Sequence, residues 1–117
     1  MTRQILATLV LLLALDTAGA VRVIEQVERP VELTLAEITF AAGGRTISFS
    51  ECARCGVSTH RLLDSTVYEL NDRALPLAEL LRVVDEIRER RDGADTAIAV
   101  VFLDIASGRV TRVEVRE

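Results

Sequence analysis

Cys52 and Cys55 are separated by two residues, and no other spacing in the chain points as directly to a particular chemistry. A C-x-x-C pair forms a disulfide, serves as the redox centre of a thiol–disulfide oxidoreductase, or supplies two ligands to a metal ion. The chain contains 2 cysteines, so a bridge between them leaves no thiol over. The first expectation is therefore a structural disulfide between Cys52 and Cys55.

The alternative is a redox-active pair. Such pairs work when the first thiolate lies at the N-terminus of a helix, where the helix dipole stabilises its negative charge. The strand predicted before Cys52 fits this arrangement. However, residues 56–60 (GVSTH) have poor helix propensity, and Glu51 places a carboxylate beside the thiol. The sequence therefore favours a structural bridge, and a periplasmic thiol–disulfide oxidoreductase stays the alternative.

A metal site is the third interpretation of the pair. A closed zinc site needs four ligands, and His60 is the one strong nitrogen ligand, with Glu51 and Asp64 as weaker candidates. Haem attachment is excluded because Gly56 follows the pair where that chemistry needs a histidine. We therefore expect neither a metal nor another cofactor.

Other reactive side chains are present without a motif that organises them. The single histidine, His60, lies in an extended stretch, and Gly43-Gly44 lacks the spacing and the following helix of a phosphate-binding loop. Four serines lie outside any nucleophile-elbow context: Ser48, Ser50, Ser58 and Ser65. The sequence thus indicates no catalytic residue, and it favours a non-enzymatic binding or accessory module.

The first twenty residues predict where the protein acts. Arg3 makes the start positive, residues 5–15 (ILATLVLLLAL) form an apolar run, and Ala18-Gly19-Ala20 offers the small residues that signal peptidase recognises. The run is shorter than the ~20 apolar residues that cross a bilayer. We therefore predict a signal peptide over residues 1–20, cleavage before Val21, no membrane span afterwards, and a periplasmic or secreted location.

The remaining stretch, residues 21–117, has the length of a single domain. The net charge is −4 and no basic cluster is present, so a nucleic-acid partner is not expected. With 3 phenylalanines, 1 tyrosine and no tryptophan, the chain also lacks the aromatic platforms on which bases or sugars stack. An unidentified protein of the cell envelope is the class of partner that remains.

Hydrophobic patterns predict the strands around the cysteine pair. Residues 31–35 alternate between apolar and polar, and the phase then slips, which indicates a bulge or bend near Ala36-Glu37. Residues 38–40 and 45–51 form a hairpin across the Gly43-Gly44 turn. This hairpin leads directly into Cys52.

Further along, residues 57–70 are extended and end in a turn at Asn71-Asp72. The continuously apolar residues 97–103 predict a strand covered on both faces. A final strand over residues 109–115 places three side chains on one side: Thr111, Val113 and Val115.

One amphipathic helix is the clearest element. Pro76 suits its first turn, and Gly93 can end it. Its apolar stripe, expected to pack on the sheet that contains Ile98, Val100 and Phe102, consists of Leu77, Leu80, Leu81, Val84 and Ile87. We therefore predict an α+β fold, with a small, mostly antiparallel sheet of about six strands and one helix packed on it.

Two resemblances accompany these patterns. Residues 68–80 (YELNDRALPLAEL), the helix and residues 96–104 resemble the strand–turn–helix–strand of the periplasmic domain in TolR-type biopolymer-transport proteins, which implies shared local topology only. The signal, the C-x-x-C pair after a strand and the tail (VFLD, then VTR) resemble small exported bacterial proteins of uncharacterised function. This second resemblance implies export without an assigned activity, and it carries over only Cys52 and Cys55.

Overall fold

The computed structural model of the protein describes residues 27–117. The predicted signal peptide over residues 1–20 and the cleavage before Val21 lie outside the described residues. Both therefore stay predictions, as does the extent of the domain from residue 21.

The described chain is an α+β structure. Its strands are β1 (Glu28–Thr34), β2 (Thr39–Phe40), β3 (Thr46–Ser50), β4 (Val57–Leu70), β5 (Arg73–Ala74), β6 (Ile98–Asp104) and β7 (Val110–Arg116). Its helices are the main helix α1 (Leu77–Glu89), the short α2 (Gly93–Thr96) and a 3-10 turn over Leu35–Glu37.

The strands form one curled mixed sheet in the order β1-β6-β7-β4-β3-β2, with β5 paired to β4. Among the described strands, β4 and β7 are the one parallel pair, and every other neighbouring pair is antiparallel. The first half of β4 pairs with β3, and its second half pairs with β5 and β7, while Leu62 in the first half also pairs with Val110 of β7. The prediction of a mostly antiparallel sheet with one helix packed on it is confirmed.

A break in the register of β4 against β7 separates these two halves. The pairing shifts between Leu62 and Val67. Thr66 is buried at the break, where its hydroxyl accepts a hydrogen bond from the N–H of Leu63 at 2.8 Å and donates one to the carbonyl of Val110 at 2.8 Å. One side chain thus satisfies backbone groups that the interrupted ladder leaves unpaired, which allows a single strand to serve both parts of the sheet.

The hydrophobic core lies between α1 and one face of the sheet. Leu80, Val84 and Ile87 are buried, as the helical stripe predicted, whereas Leu77 and Leu81 are only half-buried. These two leucines cover the β2–β3 turn instead, where a Cβ added to Gly44 would lie 3.5 Å from each of them. The apolar stripe of α1 therefore covers the β2–β3 turn as well as the core face of the sheet.

The prediction that β6 is covered on both faces is wrong. Its odd-numbered side chains are buried in the core: Ala99, Val101 and Leu103. Ile98 is 38% exposed, and Val100 and Phe102 are half-buried on the opposite face. The apolar run suggested two covering layers, but in residues 27–117 the main helix covers only one face of this strand.

The expected side-chain order in the last strand also needs correction. Val110, rather than Thr111, is buried together with Val113 and Val115. The β6–β7 register shifts next to Phe102, and Thr111 donates a hydrogen bond to the carbonyl of that residue at 3.2 Å. A bulge therefore interrupts the alternation that the sequence pattern assumed.

The phase slip predicted after β1 has a simple structural basis, whereas the predicted end of the helix at Gly93 is wrong. The phase slip after β1 corresponds to the 3-10 turn over Leu35–Glu37, where the Glu37 carboxylate accepts the N–H of Thr34 at 2.8 Å. Gly93 does not end α1, which stops at Glu89, but begins α2. A Cβ at Gly93 would lie 1.9 Å from the carbonyl oxygen of Ile87, so only glycine permits this close approach.

Candidate functional site: the bridged β3–β4 hairpin

Cys52 and Cys55 lie in the connection between β3 and β4 and are joined by a disulfide, as predicted. Their Cα atoms are 5.1 Å apart, and the N–H of Cys55 donates to the carbonyl of Cys52 at 3.2 Å. Gly56 follows with φ +67°, a conformation that directs the chain into β4 and that side chains other than glycine rarely adopt. The bridge therefore closes one tight turn at the tip of a hairpin.

This turn differs from the setting of a redox-active pair. The chain after Cys55 enters a strand instead of a helix, so neither sulfur lies at the positive end of a helix dipole. Both cysteine residues are exposed. The pair is therefore accessible to solvent without the electrostatic feature that stabilises a catalytic thiolate.

An ion pair ties the hairpin tip to β1. Nη2 of Arg29 lies 2.7 Å from Oε1 of Glu51. The hydrogen bond from Arg29 lowers the pKa of Glu51, partial burial opposes it, and the positive charge of Arg29 adds to the lowering. The same contact raises the pKa of Arg29. Because both side chains are partly exposed, the pair contributes less than about 1 kcal/mol, and its main effect is to hold the hairpin tip beside β1.

His60 connects the hairpin to the β6–β7 turn. Its ring stacks on Phe49 with 5.0 Å between ring centroids. Nδ1 lies 3.0 Å from the carbonyl oxygen of Gly108, so this nitrogen carries the proton and donates. Nε2 lies 2.9 Å from Oγ of Ser58, which is also 3.2 Å from the carbonyl of Phe49. These contacts hold the ring between the β3–β4 hairpin and the β6–β7 turn, and both ring nitrogens have hydrogen-bond partners.

The other residues singled out from the sequence are dispersed. Ser48 forms a hydrogen bond with Thr59 at 2.8 Å across the hairpin, and Ser65 and Asp64 are exposed beside the break in β4. Within residues 27–117, no three histidine, cysteine, aspartate or glutamate side chains are grouped so that they could hold a metal ion. The described chain therefore offers no ligand set that completes a site around Cys52 and Cys55.

A groove of about 430 Å³ runs between β1 and β3, next to the disulfide. Its floor includes the side chains of Leu33 and Phe49, and the bridged turn contributes Cys52. Three carboxylates, those of Glu32, Glu37 and Glu51, lie on its walls. Sequence reasoning missed this groove because β1 and β3 do not pair in the sheet and come close only through its curl.

No protein-family model matches the chain, and no curated protein or solved structure is significantly similar to it. None of the helices in residues 27–117 is long and apolar enough to cross a lipid bilayer.

Proposed function

We propose that the protein is an exported, non-enzymatic binding or accessory module whose β3–β4 hairpin is fixed by a structural disulfide. The observation that carries this proposal is the position of the bridge, which closes a turn between two strands. A turn supplies no helix dipole, so a reduced Cys52 would not be stabilised as a thiolate there. Instead, the bridge holds Glu51 where it pairs with Arg29 of β1.

Export supports the same proposal. Residues 1–20 have the layout of a cleaved signal, and a disulfide is consistent with an oxidising compartment outside the cytoplasm. The resemblance to small exported bacterial proteins of uncharacterised function also agrees with it. The mature chain then works in the periplasm or is secreted, with a protein of the cell envelope as its partner.

The competing function is that of a thiol–disulfide oxidoreductase. The observation in its favour is that both cysteines are exposed, so a substrate thiol has access to the bridge. The reduction potential of the Cys52–Cys55 pair separates the two proposals. Structural bridges have potentials below about −300 mV, whereas catalytic pairs fall between about −120 and −270 mV.

The potential is measured by equilibrating the exported protein in dithiothreitol or glutathione buffers and counting free thiols. We expect a value in the structural range and no acceleration of the reduction of a test disulfide by dithiothreitol. The double variant Cys52→Ser/Cys55→Ser serves as the background control. A potential in the catalytic range together with disulfide-reductase turnover would refute the structural proposal and establish the oxidoreductase.

Export is tested by intact mass. The exported protein should have the mass of residues 21–117 with no free thiol. A form that retains Met1 and fractionates with membranes would show instead that the N-terminal segment is an anchor.

A further inference from the structure

The edge of β1 that faces the groove presents unpaired main-chain groups at Glu32. The bond from the N–H of Leu35 to the carbonyl of Ala97 shows that odd-numbered residues of this segment bond to β6. Even-numbered residues of an antiparallel edge strand then point their N–H and C=O groups away from β6. Pro30 has no N–H, and the N–H of Thr34 is already donated to Glu37. The N–H available at the centre of this edge is therefore that of Glu32.

The opposite wall of the groove has a matching gap at Ser50. The strand β2 pairs with β3 only as far as Ser48, and the bond from Ala41 to Thr46 shows that even-numbered residues of β3 face that side. Ser50 lies beyond the end of β2, so the ladder does not use its N–H and C=O groups on this side. Two facing strand edges thus offer donors and acceptors to a chain lying between them.

Apolar and acidic side chains define what fits between these edges. Leu33 and Phe49, which are 7% and 1% exposed, close the floor, and Val57 is 75% exposed at the rim. Three carboxylates line the groove, those of Glu32, Glu37 and Glu51. Arg29 pairs with Glu51, and the guanidinium of Arg88 donates to the carbonyls of Leu35 and Ile38 beside Glu37. Among residues 27–117, Glu32 has no ion-pair partner. The charge of the groove therefore favours a cationic side chain.

We infer that the β1–β3 groove binds a short, extended, basic segment of a partner protein, which adds main-chain hydrogen bonds at Glu32 and Ser50 and places a lysine or arginine beside Glu32. This is recognition by strand addition, in which the main chain provides affinity and alternate side chains provide specificity. The inference rests on the proposed function as a binding module and names its partner surface. The bridged turn takes part because Cys52 forms one end of the groove.

The test uses the exported protein, labelled with ¹⁵N, and short synthetic peptides of equal length. One alternates valine with lysine, a second alternates valine with glutamate, and a third is the lysine peptide with N-methylated backbone amides. We expect the lysine peptide alone to bind, with the amide signals of Glu32 and Ser50 shifting. Glu32→Lys should weaken this binding about tenfold or more, because it replaces an attractive charge with a repulsive one. Glu79→Lys, at an exposed position on α1, should leave it unchanged.

Three results would overturn the inference. The first is absence of binding by the lysine peptide, or equal binding by its N-methylated form. The second is a set of shifts located away from the groove. The third is concentration-dependent pairing of the protein through the groove, which would make a second copy the occupant. If any of these occurs while the disulfide has a structural potential, the proposed function survives without this surface, whereas a catalytic potential removes the proposed function independently.

Discussion

Polar side chains around the hairpin obtain their partners from distant parts of the chain. Glu51 pairs with Arg29, and His60 donates to the carbonyl of Gly108, which is 48 residues further along. Neither contact adds much stability, since exposed ion pairs and single hydrogen bonds contribute only about 1 kcal/mol each. At the scale of the residue, these contacts therefore determine where the side chains of Glu51 and His60 lie and add little to the free energy of unfolding.

The pKa of the Tyr68 phenol reports how far this side chain is removed from solvent. Tyr68 is 8% exposed, and burial raises its pKa above the ordinary value of 10.0, while the nearby Thr66 hydroxyl opposes the shift. The chain has 1 tyrosine and no tryptophan, so the ultraviolet absorbance of the phenolate reports this group alone. We expect the folded protein to titrate at higher pH than the same chain in denaturant.

The pH dependence of stability follows from this shift in the pKa of Tyr68. Because the folded-state pKa lies above the unfolded one, the contribution of Tyr68 is complete below about pH 10 and is lost as the pH rises through the folded-state value. Tyr68→Phe should flatten the alkaline part of the stability curve. Identical titration midpoints in the folded and unfolded chain would show that the phenol is not desolvated.

At the scale of the element, α1 illustrates how a helix divides its apolar stripe between two tasks. Leu80, Val84 and Ile87 face the core, whereas Leu77 and Leu81 lie over Gly44 in the β2–β3 turn. Residues of the same apolar stripe therefore pack α1 on the sheet and cover the β2–β3 turn. This arrangement links the main core to the strands that lead into the disulfide.

Substituting neighbouring leucines should separate these two tasks. Leu80 is 0% exposed, so Leu80→Ala should destabilise the domain by about 2–5 kcal/mol, because it removes buried methyl groups and leaves a cavity. Leu81→Ala, at a half-buried position, should cost about half of that or less. Urea unfolding with an unchanged m-value measures both losses. Equal losses, or a larger loss at Leu81, would show that the helix packs on a different face.

At the scale of the whole molecule, the curled sheet has two edges and covers them differently. Pro30 and the Glu37 carboxylate limit pairing along β1, and the two-residue β2 covers only part of β3. Edge strands protected in this way resist indiscriminate pairing with other chains. The gap that remains beside the disulfide is the β1–β3 groove.

The disulfide should matter little for the stability of the molecule as a whole. It closes a loop of sequence separation 3, and so short a loop constrains the unfolded chain by only about 2 kcal/mol. We expect Cys52→Ser/Cys55→Ser to lose that amount or less in urea unfolding while the far-ultraviolet spectrum is retained. The wild-type protein under reducing conditions should lose the same amount. A clearly larger loss, or loss of cooperative unfolding, would mean that the bridge holds more of the sheet than its own turn.

The sequence by itself determined the elements whose signals are local. The extended stretch over residues 57–70 coincides with β4, the helical stripe identifies α1, and the C-x-x-C pair predicts a disulfide as the first of three interpretations. These features depend on the period of side chains along one segment or on two residues three positions apart. Neighbours along the chain therefore suffice to specify them.

The tertiary structure alone decided which segments meet. Ile98 lies on the face of β6 opposite the core, and β4 pairs in parallel with β7 across the intervening helix and hairpin. The contact of His60 with Gly108 and the groove between Glu32 and Ser50 arise in the same way. Each requires segments distant in sequence to be brought together, and side-chain period along a single strand carries no information about which strand lies beside it or whether a second layer covers it.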